Sequence, residues 1–156
     1  MKSLLVFALG LLLAVHSLHA RLGENEDQLK ERYGDPTNPT DKEDNHILKR
    51  IYEYKGVTIT VTFLNKKSAS EEYEGLATRD AVETILVANA GSFAWKIDAF
   101  TPRDPTGQAL PSRWTLYSPA KSIATASYES ATLTIATFEL LDFMTAQQNA
   151  GNLKGF

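Results

Sequence analysis

Cysteine is absent from the 156 residues. This excludes disulfides, thiol catalysis, Cys-type zinc sites and the lipid attachment that needs a cysteine behind an export signal. Histidine is nearly as scarce: His16, His19 and His46 are the three present. The first two lie in a segment read below as removable, and one histidine cannot supply the imidazoles of a typical catalytic zinc. A Ser-His-Asp arrangement would have to use His46, and no Gly-x-Ser-x-Gly elbow presents a nucleophile. The nine glycines are scattered rather than gathered into a phosphate loop. No long basic run occurs, and 16 Lys and Arg against 19 Asp and Glu leave a net charge of −3. Nucleic-acid binding therefore has no electrostatic footprint, and no polybasic amphipathic segment would hold the chain on anionic lipid. Asp35, Asp41, Glu43, Asp44 and Asn45 form an acidic stretch. It fails the calcium-loop template, lacking a glycine at the sharp turn and placing Tyr52 where the last acidic ligand belongs. A carboxylate pair for glycoside cleavage could be drawn from many acids, but spacing singles out none. No catalytic residue, metal ligand or cofactor is assigned.

What the chain does have begins at its start. Lys2 is followed by an apolar run from Leu4 to Val15, then His16-Ser17-Leu18-His19-Ala20. A positive charge, a short apolar core and a small residue at the cut form a secretory signal, with cleavage expected after Ala20. A spanning helix needs roughly 20 apolar residues, which this run does not reach. The competing reading is an uncleaved anchor, kept open by Leu18, three before the cut, which is larger than the usual Ala or Val. Residues 21–156 are then one domain, soluble and either periplasmic or secreted, with a core that must suffice without disulfides.

Along that domain, Arg21 to Tyr33 reads as a short helix. Asn25 and Gln28 form a capping box, and Gly34-Asp35-Pro36 stops the helix. A hairpin follows, Ile47 to Tyr54 and Val57 to Phe63 around Lys55-Gly56, with Val57, Ile59, Val61 and Phe63 alternating with threonines. Asn65-Lys66-Lys67 turns the chain into a third strand, Ala69 to Glu74. Thr78 caps a second helix carrying Val82, Ile85, Leu86 and Asn89 on one face. Strands are expected at Phe93 to Phe100, Arg113 to Ser118, Ile123 to Tyr128 and Ala131 to Phe138. A long loop, Thr101 to Ser112, interrupts them. Glu139 to Asn149 is a final helix with Leu140, Phe143, Met144 and Gln147 as a modest stripe, and residues 152–156 form a tail.

Tyr54, Val57, Ile59 and Val61 match Tyr128, Ala131, Leu133 and Ile135 at one constant offset. The expected architecture is α+β: two helix-plus-antiparallel-meander units (21–75 and 76–138) with helices packed on one face of an antiparallel sheet, and a C-terminal helix and tail (139–156).

Gly23, then ten residues, then Gly34-Asp35-Pro36, with Leu29 central in the helix, resembles the opening of the SmpA/OmlA-type domain. That domain belongs to a small lipoprotein of the outer-membrane β-barrel assembly machine. Ile51-Tyr52-Glu53-Tyr54 and Thr60-Val61-Thr62-Phe63-Leu64-Asn65 are similar to its aromatic strand and its Thr-Phe-Asn-type strand, so the likeness runs from Gly23 to Glu74. Two such units in tandem resemble the plan of the β-lactamase-inhibitor proteins, which are exported, non-enzymatic and bind through a concave sheet and its loops. The whole chain also looks like small exported proteins of unassigned role from environmental bacteria. The lipidated cysteine of the first family and the disulfides of the second are both missing here, and the second unit lacks the Gly-x-Pro stop. The resemblance therefore implies a fold and transfers neither a partner nor binding residues.

The candidate interaction surface is the loop Thr101 to Ser112 with Arg103, Arg113 and Trp114, because long irregular loops often carry function and Arg and Trp anchor interfaces. Burial in a strand is the competing fate of Trp114. The expected function is a non-catalytic protein-interaction module whose partner is another exported or envelope protein. The alternatives are a small-ligand carrier using the concave sheet face and a carboxylate-based hydrolase.

Overall fold

The computed structural model describes residues 21–39, 44, 46–100 and 111–153. The export signal, Arg103 with nearly all of the long loop, Asp41, Glu43, Asn45 and the end of the tail lie outside the described residues. Among those described, three helices and seven strands follow in the order α1 (Glu26–Tyr33), β1 (Ile47–Tyr54), β2 (Val57–Leu64), β3 (Lys67–Glu74), α2 (Arg79–Ala90), β4 (Ala94–Phe100), β5 (Pro111–Tyr117), β6 (Ser122–Glu129), β7 (Thr132–Thr137) and α3 (Phe138–Leu153). The fold is α+β, with one seven-stranded sheet whose strands all pair antiparallel.

Helix α1 starts at Glu26, not at Arg21. Asn25 is extended, and its side chain accepts the Gln28 N–H while Gln28 returns a bond to the Asn25 N–H. A capping residue stands outside the helix that it caps, so the helix cannot run through Asn25. The residues before it pair elsewhere: the Gly23 N–H donates to Ser68 O, and the Ser68 N–H donates to Glu24 O. Gly34 closes the helix at φ +89°, its N–H donating to Lys30 O. Thr78 caps α2 by accepting the Ala81 N–H.

Two-residue turns join β1 to β2 (Lys55-Gly56), β2 to β3 (Asn65-Lys66) and β6 to β7 (Ser130-Ala131), with both residues of each turn at positive φ. This turn geometry matches the twist of the flanking strands. The spatial order is β1-β2-β3-β7-β6-β5-β4, so β3 and β7 meet near the middle. The strands matched by the constant sequence offset stand at different places: β2 is second from an edge and β7 is near the centre.

Register fixes which side chains share a row. Arg50, Val61, Glu71, Ile135, Ala126, Trp114 and Ile97 are successive cross-strand partners. Tyr52, Ile59, Tyr73, Leu133 and Tyr128 form the next row. These rows meet Leu29 and Tyr33 of α1 and Val82, Ile85 and Leu86 of α2 in the main core. Helix α3 contributes Leu140 to a second cluster with Leu64 and Ala69, against partly buried Ile47 and Phe143. Ile47 and Leu64 are partners of opposite parity to Tyr52 and Ile59, so they turn to the other face.

Candidate functional site

An antiparallel sheet has two edges, and this one treats them differently. Along β1, the Ile51 N–H donates to Asn38 Oδ1 at 2.7 Å and Ile51 O accepts the Thr37 N–H at 2.7 Å. Asn38 Nδ2 donates to Lys49 O, and Asp44 and Ile47 exchange both backbone bonds. Threonine, asparagine and aspartate readily make such local bonds, and here they occupy an edge that would otherwise template another strand.

Strand β4 carries no such guard among the described residues. Ala94, Lys96, Ile97 and Asp98 are exposed and Trp95 is half-buried. Ile97 is the last member of the row that runs from Arg50, paired with Trp114 and 50 % exposed while Trp114 is 6 % exposed. The cover provided by α2 therefore reaches β4 at Trp95 and runs out at Ile97. Trp95 is fixed by its indole N–H, which donates to Leu86 O at 2.7 Å and ties β4 to α2. On the other side Lys96 Nζ lies 4.7 Å from the Tyr117 ring centroid. Pairing is regular from Ala94 to Ile97 and then shifts before Ala99, where Asp98 accepts the Thr115 hydroxyl. This leaves a short extended edge flanked by apolar Phe93 and Ile97.

Of the residues singled out in the sequence, Trp114 is buried in the main core, and Arg113 is exposed. Adjacent strand residues point to opposite faces, so these two cannot form one patch. Arg103 lies outside the described residues. Sequence reasoning missed Ile97. Its alternation with Trp95 marks a face, but nothing local says that its strand is the last in the sheet.

The described titratable groups make no reactive cluster. His46 is exposed at φ +67° in the turn before β1, and Asp35 pairs with Lys30 at 2.5 Å. The most perturbed carboxyl among the described residues is Glu71, fully buried near the middle of the sheet. Burial pushes its carboxyl up to about 7, against the pull of its hydrogen bonds from Tyr73 and Asn89. Its Oε2 accepts the Tyr73 hydroxyl at 2.7 Å and Asn89 Nδ2 at 3.4 Å, and its Oε1 has no partner among the described residues. Asn89 Oδ1 in turn accepts the Leu22 N–H, so the network links β3, α2 and the segment before α1. The Glu24–Arg32 ion pair stands nearby, acting on Glu71 through charge. A raised carboxyl suits acid-base work only where substrate can reach it. Glu71 has no exposed surface, and the arrangement serves as an internal tie.

No described helix is long and apolar enough to cross a membrane. No family model, no curated protein and no solved structure matches the chain.

Proposed function

We propose that this protein is an exported, non-catalytic interaction module that takes an extended segment of a partner protein onto β4. The carrying observation is the contrast between the two edges. On β1 the outward backbone groups are bonded to Thr37, Asn38 and Asp44, whereas β4 presents an exposed strand with Ile97 half out of the core row. A partner strand gains main-chain hydrogen bonds there, and Ile97 and Phe93 offer apolar contact to alternate side chains. The partner is another exported or envelope protein. A carrier using the open sheet face has less support, because one cross-strand row of that face is Glu53, Thr58, Glu74, Thr132 and Glu129, none of them buried.

The chain is read as two helix-plus-meander units, α1 with β1–β3 and α2 with β4–β7. Two features support this. Each helix is capped and followed by strands in sequential order, and α1 and α2 feed the same apolar cluster. Export rests on Lys2, the Leu4 to Val15 run and Ala20. N-terminal sequencing of the protein from its host should begin at Arg21.

The test of the β4 reading is capture of partners by residues 21–156 from envelope and culture-fluid fractions, with Ile97→Lys and Lys96→Pro run beside the wild type. The expected result is one stoichiometric protein, lost with both variants while their thermal melts stay within a few degrees of wild type. Retention of that protein by both variants would move the interface off β4.

A further inference from the structure

A second feature lies at the opposite end of the molecule from β4 in strand order, between the ends of α1 and α2 and the β1–β2 turn. A cavity of about 330 Å³ opens there. Its floor is Ile59, Tyr73, Leu76 and Ile85, each at most 4 % exposed. Its walls are Tyr33 at the end of α1, Ala81 in the first turn of α2, and Tyr54. The Tyr33 and Tyr54 rings stand 5.2 Å apart at 59°, in contact with each other, and together make one aromatic wall of the cavity. Tyr73 spends its hydroxyl on Glu71, so it offers the cavity its ring.

The one charged side chain among the lining residues is Lys55. It sits in the two-residue turn at φ +52°, exposed, with Nζ 5.0 Å from the Tyr54 ring centroid. No carboxylate among the described residues pairs with it, and no acidic residue lines the cavity. The volume lies at the low end for small-molecule sites and is far below what a folded partner would need. Aromatic walls favour offset or edge-on rings, and a cation at the rim favours an anionic head.

We propose that this cavity binds a small aromatic monocarboxylate, the ring against the wall lined by Tyr33, Tyr54 and Tyr73 and the carboxylate at Lys55. The site is independent of β4, so either reading can fail without the other. Amide spectra of ¹⁵N-labelled residues 21–156 would be followed during titration with 3-phenylpropionate and, separately, with 3-phenylpropan-1-amine, which shares the ring and reverses the head charge. Saturable shifts are expected at Lys55, Val57, Ala81 and Ile85 for the acid, with weaker binding of the amine. Lys55→Gln should weaken the acid about fivefold, the size of one exposed charge contact, and leave the rest of the spectrum in place. Ala81→Leu should fill the cavity and abolish both titrations. Equal binding of acid and amine, or acid binding indifferent to Lys55→Gln, would overturn the carboxylate assignment. Shifts confined to other residues, or none up to ~10 mM, a free energy too weak to matter, would overturn the site itself.

Discussion

Glu71 and Tyr52 both bury a polar atom without a partner among the described residues, and they should respond to substitution in different ways. The Glu71 carboxyl titrates near 4.5 in an unfolded chain and at about 7 in the fold. Below 4.5 both states hold the proton and pH has no leverage. Between the two values the unfolded chain releases it and the native state keeps it, so stability falls as pH rises. Above about 7 the loss is complete, on the order of 3 kcal/mol. Glu71→Gln keeps an acceptor for Tyr73 and removes the charge. Urea unfolding at pH 5 and pH 8 should show the wild type weaker at pH 8 and the variant stronger than wild type there, with this part of the pH dependence gone. Tyr52 is fully buried, its hydroxyl has no partner among the described residues, and burial raises its phenol to about 12, so it stays neutral. Tyr52→Phe should be neutral or gain up to about 1 kcal/mol, whereas Tyr73→Phe should cost about 1 to 2 kcal/mol because it strips a bond from buried Glu71. Chemical denaturation of the two variants checks the sign of each. Neither role was legible in the sequence. The third strand, Ala69 to Glu74, carries three glutamates, and only the pairing of Glu71 with Val61 and Ile135 places that one inside.

Elements were the best-read level, because their signals are local. The Asn25–Gln28 capping box, the Gly34 stop, the Thr78 cap and the Lys55-Gly56 turn all stand where residue chemistry puts them. Asn25→Ala should cost about 1 kcal/mol, through loss of the bond to Gln28 N–H. The β6–β7 turn departs from the sequence reading, which puts Ala131 in a strand that in fact starts at Thr132. It uses Ser130 and Ala131 at φ +51° and +62°, a conformation that costs an L-residue with a β-carbon roughly 1 to 2 kcal/mol. The turn is held because Ala131 O accepts the N–H groups of Gly75 and Leu76, joining it to the end of β3. Ala131→Gly should therefore raise the melting temperature, by about 1 kcal/mol in stability, although glycine normally loosens a chain. Calorimetry of the single variant checks this. The start of α1 was misread because Leu22, Leu29 and Tyr33 follow helical spacing. Leu22 does pack against the core, but from a turn closed by the Glu24 N–H on Arg21 O, in a segment bonded to Ser68 and Asn89.

At the scale of the molecule, the sheet should exchange amide hydrogens unequally at its two edges. Ile51, whose N–H is held by Asn38, should be protected, while outward-facing amides from Ala94 to Ile97 should exchange rapidly in the free protein and slow on partner binding. Equal protection at both edges would remove the asymmetry on which the β4 reading rests. Trp114→Ala should cost about 3 to 5 kcal/mol as a core truncation, so its loss of function could not be told from unfolding. Ile97→Lys changes an exposed side chain and is the cleaner probe. The sequence by itself determined the α+β class, most strand and helix bounds, the caps and turns, and the threonine-bearing face of β2. Each of these depends on neighbours a few residues apart, within reach of one hydrogen bond or one period of alternation. Only the tertiary structure decided that β3 pairs with β7, that β1 is bonded along its outer side from Ile47 to Ile51 while β4 has no such bonds among the described residues, that Glu71 is buried, and that Trp114 and Arg113 part company. Those outcomes depend on which strands become neighbours across the sheet, and contacts between residues far apart in the chain settle that order.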